Sequence, residues 1–282
     1  MSRKLVVKSV DLIAKGLLMT EGVLGVLKLN NITYCPEPDF YSVVDENGNV
    51  LLEKNGYMEL NHLASTNKIL VARVLLYRLE NQRASLTDEF KSITTTLHPW
   101  DLMSDSLGGN IELMLRKSSN TATNLLIDYL GGFDSINRDL KELGFDNTAL
   151  HSYTYPSSYA PQFDNQKSKS SAVELGRALT DIYKSHNSLF VDALNNSPYQ
   201  YTNSNRVINK VGVNSWTFAN VATIRKNGKI YTVSVFYYTF SPKIIKLFTL
   251  TSETLVLQKS TSLCFKWDPC SAFVQKVINR LN

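Results

Sequence analysis

His62-Leu63-Ala64-Ser65-Thr66-Asn67-Lys68-Ile69-Leu70 is the stretch around which the rest of the chain can be arranged. A serine stands three residues before a lysine, where a polar loop gives way to an apolar run. Residues 69–80, ILVARVLLYRLE, carry aliphatics at helical spacing. Ser65 and Lys68 therefore fall in the first turn of a helix, on one face at i and i+3, with the hydroxyl in reach of the amine. The unpaired amides and positive dipole end of that turn favour negative charge. Serine becomes a nucleophile when a neighbour takes its proton, and lysine can do so where burial or other cations disfavour its ammonium. The pair alone does not establish this, because an N-cap serine followed by a solvated lysine has the same spelling.

Composition narrows the classes. At 282 residues the chain is long enough for one large domain or two modest ones, and 43% hydrophobic with 20% charged residues is ordinary for a globular protein. The formal net charge is +5, but Lys and Arg are scattered, so no nucleic-acid partner is indicated. Cys35, Cys264 and Cys270 make no disulfide framework, although a Cys264–Cys270 bridge stays open. Without a Cys-x-x-Cys pair, and with His62, His98, His151 and His186 dispersed, no metal or cofactor is implied. The N-terminus starts basic and aliphatic, yet Asp11, Lys15 and Glu21 interrupt each candidate export core and no small-residue cleavage site follows. It reads as an amphipathic helix packed on the domain. No run approaches the ~18 apolar residues that span a bilayer. As written, the chain carries no export address, and the expectation is a cytoplasmic protein.

Outward from Ser65, residues 41–44 and 50–53 are apolar runs flanking Asn47-Gly48, a hairpin signal because both turn residues tolerate positive φ. Downstream, residues 111–117 read as a helix ending at Ser118-Ser119-Asn120, residues 121–130 as a second closed by Gly131-Gly132, and residues 133–143 as a third before Gly144. Residues 149–170 have no regular period and read as a long loop, which inside a compact domain is a functional signal. Lys167-Ser168-Lys169-Ser170 within it reads as a solvated charge cluster. Ser171 then caps a helix over residues 172–183. The strand pattern returns at residues 207–213, 218–224 and 230–240, the last two flanking Asn227-Gly228; residues 244–250 add a further strand. Asp268-Pro269 opens a final helix. The order predicts an α+β protein whose antiparallel sheet is built from both ends of the chain and flanked by terminal helices. Residues 1–62 and 205–282 would form an α/β lobe and residues 63–204 a helical one, within a single domain over 1–282. Ser65, Ser118 and Lys210 could meet at their boundary, a favoured place for a ligand site.

Ser65-Thr66-Asn67-Lys68, Ser118-Ser119-Asn120 and Lys210-Val211-Gly212 thus occur in a fixed order. In this the chain resembles the class A serine β-lactamases and the related penicillin-binding peptidases, whose set is SxxK, SxN and K[TS]G. The second motif extends through Thr121-Ala122-Thr123-Asn124-Leu125-Leu126 to Gly131-Gly132, close to the family's SDNTAANLL…GG. The likeness runs from about residue 41 to about residue 240. It implies a β-lactamase/DD-peptidase fold and an oxyanion hole made by the backbone amides of Ser65 and Val213. Ser65 would attack a carbonyl and form an acyl-enzyme. Lys68, packed near Lys210, would accept the proton, the two lysines titrating as a coupled pair. Ser118 would relay a proton to the leaving nitrogen, and Asn120 would hold the substrate amide and Lys68. Lys210 would attract a substrate carboxylate. Gly212, Asn214, Ser215 and Tyr155 complete the expected substrate contacts, and Tyr153 and Trp216 are candidates for the cleft wall.

Two departures shape the expectation. The class A enzymes activate the deacylating water with a glutamate in the long loop, and between Ala149 and Ser171 there is none; Tyr155 in Thr154-Tyr155-Pro156 stands in its place, and Asp164 is the loop's one carboxylate. A phenol near pKa ~10 is a poor base unless cations depress it. The loop also lacks the arginine that usually braces it. Second, Val211 replaces the family's threonine or serine, which hints that the acyl donor is not an ordinary penicillin carboxylate. The expected activity is a serine acyl-enzyme hydrolase acting on an amide, peptide or ester of a small molecule or peptide. The alternatives are a true β-lactamase with another water activator, a DD-peptidase, and a non-catalytic member that binds a ligand.

Overall fold

The computed structural model describes residues 38–89, 102–154, 167–196, 206–213 and 217–238. The helix expected at the N-terminus, the strand over 244–250, the helix after Asp268 and all three cysteines lie outside the described residues.

The described residues contain five strands: β1 (Phe40–Asp45), β2 (Val50–Lys54), β3 (Arg206–Val213), β4 (Thr217–Lys226) and β5 (Lys229–Tyr238). They form one antiparallel sheet in the order β2-β1-β5-β4-β3. β1 pairs with β5, Phe40 opposite Phe236 and Asp45 opposite Tyr231, so the two ends of the described chain do build one sheet. The two Asn-Gly turns differ. At β4–β5, Asn227 (φ +52°) and Gly228 (φ +77°) are both left-handed, as the two-residue turn requires. At β1–β2 only Gly48 is left-handed (φ +78°). There Asp45 Oδ1 accepts from the amides of Asn47 and Asn49, each at 2.8 Å, so a carboxylate organises a longer turn.

Between β2 and β3 the described residues form six α-helices: α1 (Asn67–Glu80), α2 (Leu107–Glu112), α3 (Asn120–Tyr129), α4 (Gly132–Glu142), α5 (Ala172–Lys184) and α6 (Ser188–Asn195). Residues 111–117 are not one helix: α2 ends at Glu112 and a π-helical turn, Leu113–Lys117, follows. α1 is the axis of the core. Ile69, Leu70, Val71, Val74, Leu75 and Leu76 are buried, and they pack with Ile111, Leu126, Ile136, Leu179 and Phe190. Burying each such side chain is worth about 1.5–3 kcal/mol. α5 lies on the sheet at Gly176, where an added Cβ would come within 3.0 Å of Ser234 Oγ and 3.4 Å of Val44 Cγ2. One turn on, Thr180 shares a 2.7 Å hydrogen bond with Thr232 of β5. The helix is capped as expected, with Ser171 Oγ accepting from the amide of Glu174 at 3.2 Å.

Candidate active site

Ser65 sits in a single 3-10 turn, Ala64–Thr66, that leads into α1. Ala64 is left-handed (φ +48°), a conformation costing roughly 1–2 kcal/mol in an alanine, so surrounding packing must impose it. Two contacts do so. Thr66 Oγ1 donates to the Leu63 carbonyl at 2.5 Å, and β3 runs against the turn at Gly212. A Cβ on Gly212 would lie 3.0 Å from the backbone nitrogens of Ser65 and Thr66 and 3.1 Å from the Leu63 oxygen. Only a residue without a side chain allows that approach.

Neither half of the ordinary reading survives. Ser65 caps no amide, since neither the 3-10 turn nor α1 has a side-chain cap. Lys68 is not solvated but fully buried. Its Nζ donates to Asn120 Oδ1 (2.6 Å), the Ser118 carbonyl (2.7 Å), Ser118 Oγ (3.1 Å) and Ser65 Oγ (3.2 Å). Three ammonium protons thus face four oxygens, with both hydroxyls among them. Ser118 can offer two oxygens because it ends the π-helical turn left-handed (φ +59°). Ser119 between the motif's outer residues does different work: its Oγ accepts from the Ala122 amide at 3.0 Å, capping α3, and donates to the Leu102 carbonyl at 2.6 Å.

Lys210 is the second buried lysine. Side chains alternate along β3, so Lys210 faces the same side as Gly212, towards the turn that carries Ser65. Its Nζ has no hydrogen-bond partner among the described residues. Burial pulls its pKa down to about 7. Val213 follows Gly212 and is half-exposed at 49%. Asn214, Ser215, Trp216, Tyr155 and Asp164 lie outside the described residues.

The long loop is braced without an arginine. Ala149 pairs with Lys169 and Leu60 with Ser170, closing its base. Asn137 clamps Leu150, Oδ1 accepting from its amide (2.7 Å) and Nδ2 donating to its carbonyl (2.9 Å). The buried carboxylate of Glu174 accepts from the Asn147 amide at 2.9 Å and from Thr148 Oγ1 at 2.5 Å. Nearer the site, Asn124 Oδ1 accepts from the amide and the hydroxyl of Thr154, each at 3.0 Å, and the same hydroxyl reaches the Asn120 carbonyl at 3.3 Å. Sequence reading missed these bracing residues; only Asn124, inside the extended second motif, carried a signal. Tyr153, a candidate for the cleft wall, donates its hydroxyl to Asp128, and its ring packs edge-on to Phe133 at 5.0 Å. Nor is the 167–170 segment simply solvated. Lys169 pairs with Glu59 at 2.9 Å, but Ser168 and Ser170 are buried, and Ser168 Oγ accepts from the amides of His151 and Ser152. Among the described residues no group of His, Cys, Asp and Glu is placed to hold a metal ion, and no helix is long and apolar enough to cross a membrane.

A serine turn packed on a sheet-edge glycine, a buried lysine tied to the SxN motif, and a second lysine on that edge strand sit on a β-lactamase/DD-peptidase fold. The chain belongs to the beta-lactamase enzyme family, whose model matches residues 45–256. Among solved structures it is similar to a D-alanyl-D-alanine carboxypeptidase from Mycobacterium tuberculosis H37Rv, with 16% identity and a TM-score of 0.59 over 74% of this chain and 86% of that one. A beta-lactamase from Sphaerobacter thermophilus matches with 20% identity and a TM-score of 0.57 over 70% and 81%. Penicillin-binding protein D2 from Listeria monocytogenes, solved with cefotaxime bound, matches with 16% identity and a TM-score of 0.57 over 76% and 97%. No curated protein matches the sequence.

Proposed function

We propose that the chain is a serine acyl-enzyme hydrolase acting on an amide, peptide or ester carbonyl, with Ser65 as nucleophile and Lys68 as its base. The observation that carries this reading is the buried Lys68 Nζ, in hydrogen-bond reach of Ser65 Oγ, Ser118 Oγ and Asn120 Oδ1 at once. A buried cation is costly to hold in place, and a purely structural lysine needs neither hydroxyl. Acylation starts from the neutral Lys68 amine: Ser65 Oγ bonds to the carbonyl carbon while its proton passes to Lys68 Nζ, giving the ammonium. Lys68 and Ser118 Oγ, 3.1 Å apart, hand a proton to the leaving nitrogen or oxygen as its bond to that carbon breaks. The backbone amides of Ser65 and Val213 would hold the developing oxyanion, a contribution typically worth about 10²–10³ in rate for each donor. Gly212 supports this, because its close approach brings the backbone of β3 alongside that of Ser65. Asn120 positions Lys68, and Lys210 takes part in proton traffic as a lysine that burial makes easy to deprotonate.

Intact-protein mass spectrometry after exposure to a fluorophosphonate and a small panel of β-lactams tests the reading. A single covalent adduct on the wild-type chain and none on Ser65→Ala is the expected result; an adduct that survives the substitution removes Ser65 from its role. For deacylation we propose Tyr155 or Asp164 as the water-activating group. An acyl-enzyme that persists longer in Tyr155→Phe or Asp164→Asn supports that assignment, and an unchanged lifetime in both variants rejects it. Measurable turnover of a chromogenic cephalosporin would identify a true β-lactamase.

A further inference from the structure

The groove beside the oxyanion hole can be read from the register of β3 and β4. Lys210 and Gly212 face the Ser65 turn, so Val211 and Val213 face the other way. A substrate lying edgewise along β3, with its carbonyl oxygen at the Val213 amide, would place its leaving group beside this second pair of side chains. Val213 is 49% exposed and Val211 half-buried. Opposite them on β4 stand Phe218 and Asn220, so four neighbouring positions on this face carry two valines, a phenylalanine and a neutral amide. No charge is present in that group of four, and no hydroxyl.

The chain beside the Ser118 motif has the same character. Leu102 and Met103 are exposed at 54% and 49%, and the Leu102 carbonyl is held by Ser119 Oγ at 2.6 Å, next to Ser118. Exposed large apolar side chains beside a buried polar constellation mark a surface that prefers apolar ligand groups. An ionised carboxylate laid on it would lose water without gaining a partner.

We infer that the leaving-group side of this site accepts an uncharged, apolar group, such as a neutral ester or amide, in place of a carboxylate. The inference rests on the acyl-enzyme reading above. The cation nearest on the strand does not oppose it: Lys210 lies on the opposite face from Val211 and Val213, and its burial disfavours the charged form.

The test uses two phenylacetylglycyl depsipeptides that differ only in the leaving group, which ends in a free carboxylate or in its methyl ester. Second-order rates of Ser65 acylation are read by intact mass, with Ser65→Ala as the labelling control. The methyl ester is expected to react at least about 10-fold faster. Val211→Thr, which is nearly isosteric, and separately Val213→Ser, should each narrow that ratio about three-fold or more. Equal or faster reaction of the carboxylate probe overturns the inference while leaving the nucleophile intact. A ratio unmoved by both substitutions overturns the assignment to this strand face. If neither probe labels the wild-type serine, the acyl-enzyme reading falls and the inference with it.

Discussion

Two lysines, both buried, meet opposite fates in this molecule. Lys68 has oxygens at 2.6–3.2 Å around its ammonium, whereas Lys210 has no hydrogen-bond partner among the described residues. Removing them should therefore move stability in opposite directions. Lys68→Met strands the Asn120 and Ser118 acceptors and should lower stability by about 1–3 kcal/mol for each oxygen left unsatisfied. Lys210→Met removes an uncompensated amine and should raise Tm, by roughly 2–4 °C for each kcal/mol recovered, while slowing acylation at least about ten-fold. The pH dependence has a definite sign. The folded chain gives up the Lys210 proton near pH 7 and the unfolded chain near 10.5, so between these values the unfolded state binds more protons. Stability contributed by this site then rises with pH across that window, and below it the cost of burial is fully present. Urea unfolding at pH 7.5 and 9.5 should show this slope in the wild type and its loss in Lys210→Met.

At the scale of elements, β3 and the 3-10 turn before α1 are joined through a single missing side chain. Gly212→Ala would place a methyl 3.0 Å from two backbone nitrogens that cannot swing aside. We expect the strand and turn to separate, acylation to fall about 10²–10³-fold, and circular dichroism to remain close to wild type. The loop stem depends on Glu174, which accepts from the Asn147 amide and Thr148 hydroxyl. Glu174→Ala should cost roughly 2–4 kcal/mol, from one or two buried donors left unmatched, and Glu174→Gln should recover part of it. What could be read from sequence follows the same division. Strand alternation, the helix over residues 69–80 and the Ser171 cap are written in neighbouring residues, and the structure reproduces them. The left-handed Ala64, the π-helical turn before Ser118 and the Asn137–Leu150 clamp leave no trace in periodicity, and the first and last rely on contacts with residues distant in the chain. Asn-Gly marks a hairpin at both Asn227 and Asn47, but at Asn47 it is Asp45 that sets the turn geometry.

For the molecule as a whole, the family and fold were legible because three short motifs keep their order on the right elements, whereas no single one of them is decisive. The environment of the motif residues was not legible, because burial is a property of the assembled core: nothing in Ser-x-x-Lys distinguishes a solvated lysine from one closed in by α1, Ser118 and Asn120. The braced stem has a consequence of its own. Its bonds at Asn147, Thr148, Leu150 and Thr154 on one side, and at Ser168, Lys169 and Ser170 on the other, fasten both ends of the insert to the fold. We therefore expect residues 156–166 to be replaceable as a cassette. A Gly/Ser linker of equal length in its place should leave the acylation rate within about three-fold of wild type and Tm within a few degrees; a collapse of either would tie the cassette to the frame. Selection could then adjust how long an acyl group stays on Ser65 by rewriting the insert, without touching the machinery that puts it there.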